Sequence, residues 1–348
     1  MLQIKVGGLD SIPSVYFKTS PSLKEFNTCW HSGRVPKVQW DLREITYGKI
    51  NVAAASFFLA LAHRVRQYTD VPQELLLDYH PKVFSFLTEI KFFEIAEEYD
   101  LFELPYPIGG YSDLNINPKT QIVSLDQILN RPDIFDSNTL SFWKRAHREQ
   151  FRKFLIADCS DLFRSVQMGP SEKDLPLIIS RICAEIAINS LLWGQATAFL
   201  GLQRSRNLIG VSVIDVGKGF RQSFKEKNIH SEIMQSVDGE YADLHACLLA
   251  SITNEKHFGL KRAIENVISA GGNISIGSGS AEVHWGEKLW SNFIQRYSNY
   301  GIEDAISEIG ESVYKAAAEN KKDGYVRIWN NSIRGVRVNF SMPVQGGN

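Results

Sequence analysis

The chain has 348 residues, a formal net charge of −1, 44% hydrophobic residues and 22% charged residues. This length is sufficient for two domains with sizeable hydrophobic cores, and the composition is that of an ordinary globular protein. A net charge near zero provides no general attraction for nucleic acid or for an anionic membrane surface, so neither is an expected partner.

The cysteines and the apolar segments predict a cytoplasmic location. The first residues lack a basic region followed by a long apolar stretch, so we expect no signal peptide. Polar residues interrupt the apolar stretch 175–202 on more than one face, which indicates a buried helix and not a membrane span. The cysteines are far apart and lack metal-ligand spacing, as expected for reduced thiols: Cys29, Cys159, Cys183 and Cys247.

Residues 1–105 predict a small α/β domain, because segments with strand and helix patterns alternate along them. This alternation indicates adjacent parallel strands. The expected strands are 4–6, 15–18, 38–42 and 74–77, and the expected helices are 52–66 and 81–90.

Residues 106–140 are rich in Pro, Gly, Asn and Asp and predict a connector with a short strand at 121–124. Residues 141–348 predict a second domain. Its expected elements are helices 141–166, 174–200 and 259–270, strands 208–215 and 273–277, charged helices across 286–320, and a closing hairpin of strands 324–329 and 335–342 at a sheet edge. Residues 216–258 show no steady period, and we expect a mobile lid there.

The first segment with chemical potential is Glu185-Ile-Ala-Ile-Asn189, inside a predicted helix. Side chains four residues apart project from the same helix face. An Asn oxygen can bind Mg²⁺, which also takes waters and substrate phosphates as ligands, and a carboxylate one turn away can deprotonate an attacking water. On these two residues alone, a surface ion pair of Glu185 is the alternative.

The second segment is Asp215-Val-Gly217-Lys-Gly219, at the end of a predicted strand. A carboxylate is only an acceptor, so Asp215 can accept a hydrogen bond from the exocyclic amine of adenine. The glycines permit positive φ angles and a close approach of base and ribose to the backbone. A simple Asp-Gly turn is the alternative.

The third segment, Gly259-Leu260, begins a predicted helix that ends at Gly271-Gly272. The free N–H groups of a helix start can bind phosphate, although a solvated basic helix start has the same sequence. Together the three segments predict a pocket for ATP and Mg²⁺. Basic side chains nearby add positive charge: Lys256, His257, Lys261 and Arg262.

The three segments resemble the Bergerat fold of the gyrase, histidine kinase and mismatch-repair (GHKL) ATPases, over about residues 140–348. The stretch Glu185-Ile-Ala-Ile-Asn189-Ser-Leu-Leu-Trp-Gly194 is most similar to that of bacterial anti-sigma serine kinases. The resemblance implies an α/β sandwich with a mixed sheet, a helical insertion at about 285–322, Glu185 as general base and Asn189 as Mg²⁺ ligand.

The same resemblance implies that Asp215 recognises adenine, with Gly217 and Gly219 beside it. Gly259 and Leu260 match the remnant of the glycine-rich phosphate box, and residues 335–343 are similar to the last strand of the family. The chain departs from the family pattern in two places that concern turnover more than ATP binding. A Trp stands at position 193 where the kinases usually carry His, and His257-Phe258 precede the single glycine of the phosphate box.

The N-terminal domain is similar to a STAS domain, the fold of anti-sigma-factor antagonists, at residues 40–47 and 86–93. In that family a phosphorylatable Ser lies just before the helix, where this chain has Ile50 and Asn51. Ser56 lies inside the helix, where we expect it to be a packing residue. The resemblance therefore implies a docking or dimerising role without phosphorylation in cis.

We therefore expect an ATP-binding regulatory switch with slow Mg²⁺-dependent ATPase activity, whose nucleotide state controls the STAS-like domain, a protein partner or a homodimer. A protein serine/threonine kinase acting on a separate antagonist and a non-catalytic nucleotide-sensing scaffold are the alternatives. The segment Tyr241–His245 is expected at the lid surface. Trp285, Trp290 and Tyr297 indicate a packed helix face and not a nucleic-acid surface.

Overall fold

A computed structural model of the chain describes residues 1–104, 120–125, 146, 149–157, 175–190, 196–205, 207–228, 241–252, 260–318 and 324–344. The fold is mixed α/β, as predicted, with a four-stranded parallel sheet and a five-stranded antiparallel sheet. Within these ranges, no helix is both long enough and apolar enough to cross a bilayer.

The first sheet has the order β1-β2-β3-β4 with all strands parallel, which confirms the prediction for the N-terminal residues. Its strands are β1 (Leu2–Lys5), β2 (Val38–Asp41), β3 (Gln73–Leu76) and β4 (Phe102–Glu103), and the helices that connect and cover them are α1 (Ile12–His31), α2 (Val52–Arg66), α3 (Pro81–Glu89) and α4 (Phe92–Glu98).

The expected strand at 15–18 is wrong, because these residues lie in α1. The Ser11 hydroxyl caps this helix by accepting from the N–H of Ser14 at 3.2 Å, and Pro13 lies in the first turn. Val15 and Tyr16 have strand-like side chains, but they are buried together with Ile12 at helical spacing. The periodicity of burial, and not the β-propensity of single residues, decides the conformation here.

Helix α2 has the predicted bounds and lies between the two sheets. Its Asn51 cap accepts from two backbone N–H groups of the first turn, and all of its residues except Ala53, Arg64 and Arg66 are buried. On one side the ring of Phe58 packs on Trp40 of β2, with centroids 5.2 Å apart. On the other side α2 packs against the second sheet.

The second sheet has the order β5-β6-β7-β9-β8, and its five described strands pair antiparallel throughout, where a mixed sheet was expected. The strands are β5 (Thr120–Ser124), β6 (Ala198–Arg204), β7 (Leu208–Asp215), β8 (Asn273–Trp285) and β9 (Val326–Pro343). The helices whose bounds lie in the described ranges of this part are α5 (Leu175–Ile188), α6 (Gly219–Lys227), α7 (Ala242–Ile252), α8 (Leu260–Ser269), α9 (Glu287–Tyr300) and α10 (Ile302–Ala318). Residues 149–157, inside the expected helix 141–166, are also helical.

Three sequence expectations about this half need correction. The helix expected at 174–200 ends at Ile188, and the apolar residues from Ala198 belong to β6. The expected hairpin is the single strand β9, which lies between β7 and β8 and not at the sheet edge. The segment 216–258, expected to lack regular structure, contains the helices α6 and α7.

The two sheets share part of one hydrophobic core. Ile214 and Val216, at the end of β7, are buried in the same cluster as α2 and the parallel sheet. Gly201 of β6 lies under α2, where an added Cβ would be 2.7 Å from the hydroxyl of Ser56. Ser56 is fully buried, as expected of a packing residue. The N-terminal unit is therefore packed directly on the strand that carries Asp215.

The packed helix face expected from Trp285, Trp290 and Tyr297 is confirmed only for Trp290, which is buried in α9. Trp285 is also buried, with its ring centroid 5.2 Å from that of Trp290, but it lies at the end of β8, and Tyr297 is exposed. Cys29, Cys183 and Cys247, all in the described ranges, are not in disulfides, and the last two are buried. Cys159 and most of the expected connector and helix 141–166 lie outside the described residues.

Candidate functional site

Asp215 ends β7 with its carboxylate 1% exposed. One carboxylate oxygen, Oδ1, accepts from the backbone N–H of Gly217 at 2.9 Å and from that of Val336 at 3.2 Å. The other oxygen, Oδ2, is buried, and no donor in the described part of the chain reaches it with hydrogen-bond geometry, although the Ser190 side chain is close enough to act on the carboxylate. A buried acceptor without a donor costs about 1–3 kcal/mol, so this oxygen is suited to a donor supplied by a ligand.

Burial raises the pKa of Asp215 to about 6. The hydrogen bond from Gly217, a hydrogen-bonding interaction with the Ser190 side chain, the hydrogen bond from Val336 and the positive charge of Arg337 each lower the pKa, but together they offset the effect of burial only in part. The carboxylate is mostly ionised at neutral pH, in a surrounding that favours the neutral acid. A ligand that donates a hydrogen bond to the ionised carboxylate therefore gains binding free energy, because the protein alone stabilises that charge poorly.

Glu185 lies in the last turn of α5, and Asn189 lies just beyond the end of that helix. Both residues are buried, with 6% of Glu185 and 8% of Asn189 exposed. Glu185 therefore does not lie on an exposed helix surface, where the sequence alternative placed it. Helix α5 packs against β7 and α8, and Ser190 is near enough to Asp215 to affect its pKa. The end of α5 and the end of β7 therefore meet, as the nucleotide-pocket prediction requires.

The side-chain amide of Asn189 is a candidate Mg²⁺ ligand. Its Nδ2 is buried without a hydrogen-bond partner in the described ranges. The two amide atoms are assigned only from their surroundings, and a flip would direct the oxygen to that position. No group of three or more His, Cys, Asp or Glu able to hold a metal occurs among the described residues. An Mg²⁺ ion held by one protein oxygen, waters and phosphates does not need such a group.

The predicted glycines contribute through the backbone. Gly217 donates the N–H to Asp215 described above. Gly219 begins α6 with a φ of +75°, and a Cβ there would lie 2.7 Å from the hydroxyl of Ser278. That hydroxyl accepts from the N–H of Phe220 at 3.1 Å, so a glycine is needed for α6 to approach β8.

The third predicted segment is described only in part. Gly259, Lys256 and His257 lie outside the described residues. Leu260 begins α8 and is 1% exposed, so its side chain belongs to the core. Lys261 forms an i,i+4 ion pair with Glu265 at 3.9 Å. Because α8 packs against α5, the start of α8 is on the same side of the sheet as Asn189.

Sequence reasoning missed the contribution of Gly335 and Val336. Gly335 has a φ of +104°, and a Cβ there would overlap the backbone carbonyl of Asp215. This close approach brings the Val336 N–H to the Asp215 carboxylate. An isolated Gly in a strand pattern often marks a close backbone approach, and that signal was present in the sequence.

Asp243 has a structural role that sequence analysis also missed. Its Oδ2 accepts from the N–H of Ser280 at 2.8 Å and from the Ser280 hydroxyl at 2.9 Å. Gly279 beside it has a φ of +60°, and a Cβ there would overlap the Asp243 carboxylate. The segment Tyr241–His245, expected at a lid surface, is half-buried and its Asp243 joins the start of α7 to an irregularity in β8.

Arg337 of β9 is a buried cation, 1% exposed, that the sequence did not mark. Its Nη1 donates to the carbonyl of Ile333 at 3.2 Å and its Nη2 to that of Gly279 at 3.0 Å. The guanidinium lies 4.8 Å from the ring centroid of Trp329. Burial lowers the pKa of Arg337, and its charge in turn lowers the pKa of Asp215.

Two cavities lined by described residues lie outside this cluster, and neither has Glu185, Asn189 or Asp215 among its described lining residues. Comparison of the chain with protein-family models, with curated proteins and with solved structures finds no match. The GHKL and STAS resemblances therefore stay predictions that depend on the sequence motifs.

Proposed function

We propose that the protein binds Mg-ATP where α5, the end of β7 and the start of α8 meet, and that it is an ATP-dependent regulatory switch of the Bergerat type. The observation that carries the proposal is the position of Oδ2 of Asp215. This oxygen is buried without a donor in hydrogen-bond geometry in the described ranges and lies close to the end of α5, which Asn189 directly follows. A hydrogen-bond acceptor beside an amide suits the amine of adenine and a phosphate-bound cation, respectively.

Each residue has a distinct role in this proposal. Asp215 accepts from the adenine amine through Oδ2 while its Oδ1 is held by the backbone of Gly217 and Val336. Asn189 would hold Mg²⁺, which would supply positive charge to the phosphate groups when bound. Glu185, one helical turn earlier, orients a water and accepts its proton. Leu260 begins α8, and the first backbone N–H groups of that helix bind the phosphates in this proposal.

The output of the switch runs through the strand end itself. Asp215 lies between Ile214 and Val216, whose side chains are buried in the core of the N-terminal unit. A nucleotide that orders the backbone at Asp215 changes the packing free energy of that unit, because the two share one segment of chain. The STAS-like unit or a protein partner bound to it is then the responding part. Because Cys29 and Cys247 are thiols outside any disulfide, we place the protein in the cytoplasm.

The decisive experiment is a titration of the full chain with ATP, with and without Mg²⁺, in which the melting temperature and ADP release are followed together. We expect ATP to raise the melting temperature, Mg²⁺ to increase the effect, and ADP to appear slowly. The Glu185→Gln protein should keep the thermal shift and lose ADP release.

Each alternative gives a different result in the same experiment. A thermal shift without ADP indicates a nucleotide-sensing scaffold, and phosphate transferred to an added antagonist protein indicates a kinase. Absence of any thermal shift with ATP, ADP or adenosine would refute the nucleotide site, and full ADP release by Glu185→Gln would refute the role of Glu185.

A further inference from the structure

A cavity of about 590 Å³ lies between α1, α2 and residues 331–334 of β9. This volume is within the range of small-molecule binding sites, roughly 300–1,000 Å³. Val216, the residue after Asp215, also lines it, so the cavity is at the junction of the two units of the chain. The ATP site proposed above depends on other residues, and nothing in that proposal uses this cavity.

The cavity is lined by cations without carboxylates. Lys24, Arg64 and Arg334 line it, and its described lining residues include no Asp or Glu. Within the described ranges, none of the three forms an ion pair. Burial lowers the pKa of Arg64, and the charge of Arg334 lowers it further, although Tyr68 opposes both. Like charges held together without a counter-charge create a positive potential that favours an anion.

Aromatic side chains line the same cavity. The rings of Trp30 and Tyr68 have centroids 4.8 Å apart, and the guanidinium of Arg64 lies 4.6 Å from the Tyr68 ring centroid. Trp30 is 39% exposed, which is unusual for so large an apolar ring. Stacking on Tyr68 holds the guanidinium in one orientation, and the Trp30 ring offers a flat face to a second ring.

Direct contacts join the two walls of the cavity. The side chain of Asn331 donates to the hydroxyl of Ser20 on α1 at 3.3 Å. Close by, the rings of Tyr16 and Trp329 have centroids 3.9 Å apart. Arg334 of β9, Trp30 of α1 and Tyr68, which follows α2, are therefore positioned by the packing of the fold, so a ligand would not need to bring the walls together.

We propose that this cavity binds a small phosphorylated compound with an aromatic ring, of the size of a nucleoside monophosphate, with the ring against Trp30 and the phosphate on Arg64 and Arg334. An arginine pair suits phosphate because each planar guanidinium can donate two hydrogen bonds to it. The cavity recognises a ligand by its phosphate charge and its aromatic ring together. Inorganic phosphate, or an aromatic ring without a phosphate, should therefore bind poorly.

The test uses 1-naphthyl phosphate as the probe and isothermal titration calorimetry on the full chain. This probe has the ring and the phosphate but lacks the adenine amine that Asp215 would recognise. We expect one site, with a Kd that rises with salt concentration. Arg334→Ala and Trp30→Ala should each weaken binding by about tenfold or more. Because Arg334 and Trp30 are both exposed, these proteins should fold even if an Arg64→Gln protein does not.

Lys288→Ala is the matched control, because it removes one exposed positive charge that does not line the cavity. Its Kd for the probe should equal that of the parent protein, and so should that of Asp215→Asn. Inorganic phosphate and 1-naphthol should bind at least about tenfold more weakly than the probe. The proposal is wrong if phosphate binds equally well, if neither Arg334→Ala nor Trp30→Ala weakens binding, or if Asp215→Asn abolishes it. Preferential binding of a phosphorylated peptide over the small probe would also overturn it.

Discussion

The backbone N–H of Val336 donates a hydrogen bond to Oδ1 of Asp215 at 3.2 Å, although the two residues are 121 positions apart in the sequence. The bond depends on Gly335, whose backbone approaches the Asp215 carbonyl too closely for any side chain. Together with the Gly217 N–H, it holds one carboxylate oxygen and leaves the other without a donor in the described structure. The relationship between these two strands determines which oxygen of Asp215 is presented to a ligand.

Asp215→Asn should abolish nucleotide binding and stabilise the protein at neutral pH. The folded pKa, about 6, is above the reference value of 3.8, so the aspartate lowers the free energy of unfolding as pH rises from about 4 through 6. At neutral pH this loss of unfolding free energy amounts to about 3 kcal/mol at most. The Asn side chain of the variant does not ionise, so the variant does not lose this free energy. Urea unfolding of both proteins at pH 5 and pH 8 measures the difference. If the stability difference does not grow with pH, or if ATP still raises the melting temperature of the variant, the role of Asp215 is wrong.

Nucleotide affinity should decrease as the pH falls below about 6. The ionised Asp215 is the stronger acceptor for the adenine amine, and the carboxylate takes up a proton as the pH falls through its raised pKa. We expect the Kd for adenosine to be constant above pH 7 and to rise by up to about tenfold per pH unit below 6. Adenosine is the suitable probe because, unlike ATP, it carries no phosphate that titrates in this range. A Kd independent of pH between 5 and 8 would contradict the assignment.

Asn189→Ala should remove the Mg²⁺-dependent part of ATP binding. The variant lacks the proposed metal ligand, whereas the adenine contact of Asp215 is retained. We therefore expect ATP to raise its melting temperature equally with and without Mg²⁺, and adenosine to bind within about twofold of the parent. Asn299→Ala, an exposed Asn in α9, is the control and should behave as the parent does. Equal Mg²⁺ dependence in parent and variant would exclude Asn189 as the ligand.

Gly335→Ala should damage both stability and nucleotide binding. At a φ of +104° an L side chain is strained, and its Cβ would displace the carbonyl of Asp215. We expect a loss of about 1–3 kcal/mol in the free energy of unfolding and a weaker thermal shift with ATP. Gly310→Ala in α10 is the matched control, because a Cβ there meets nothing within 4 Å and a helix interior favours Ala. An equal response of the two variants would contradict the proposed close approach.

Gly201→Ala should loosen the packing of α2 on the antiparallel sheet. Its Cβ would lie 2.7 Å from the Ser56 hydroxyl and 2.9 Å from a methyl group of Val52, and overpacking of this kind costs about 1–3 kcal/mol. Adding Ser56→Ala to the variant removes one of these contacts and should recover part of the loss. A double-mutant cycle by chemical denaturation measures that coupling. Purely additive effects would show that the two residues do not meet.

Local patterns in the sequence were sufficient to predict several elements and most of the candidate site. The bounds of α2 follow from the Asn51 cap and an apolar run that ends in basic residues, and those of β7 from a β-branched run that ends on Asp215. Asp215, Asn189 and Glu185 could be chosen because a strand end and one helix face are local properties. These elements carry their own start and stop signals, so no distant contact was needed.

Only the tertiary structure decided the rest. The apolar residues of β6 fit a helix or a strand equally well, because both faces of that segment are buried, by α2 on one side and by the helices that pack on the other face of the sheet. Long-range pairing also made β9 one interior strand and brought Gly335 and Val336 to Asp215. The cavity lined by Trp30, Arg64 and Arg334 has no local signature at all, because its residues come from three elements that are distant in sequence and adjacent only in the folded chain.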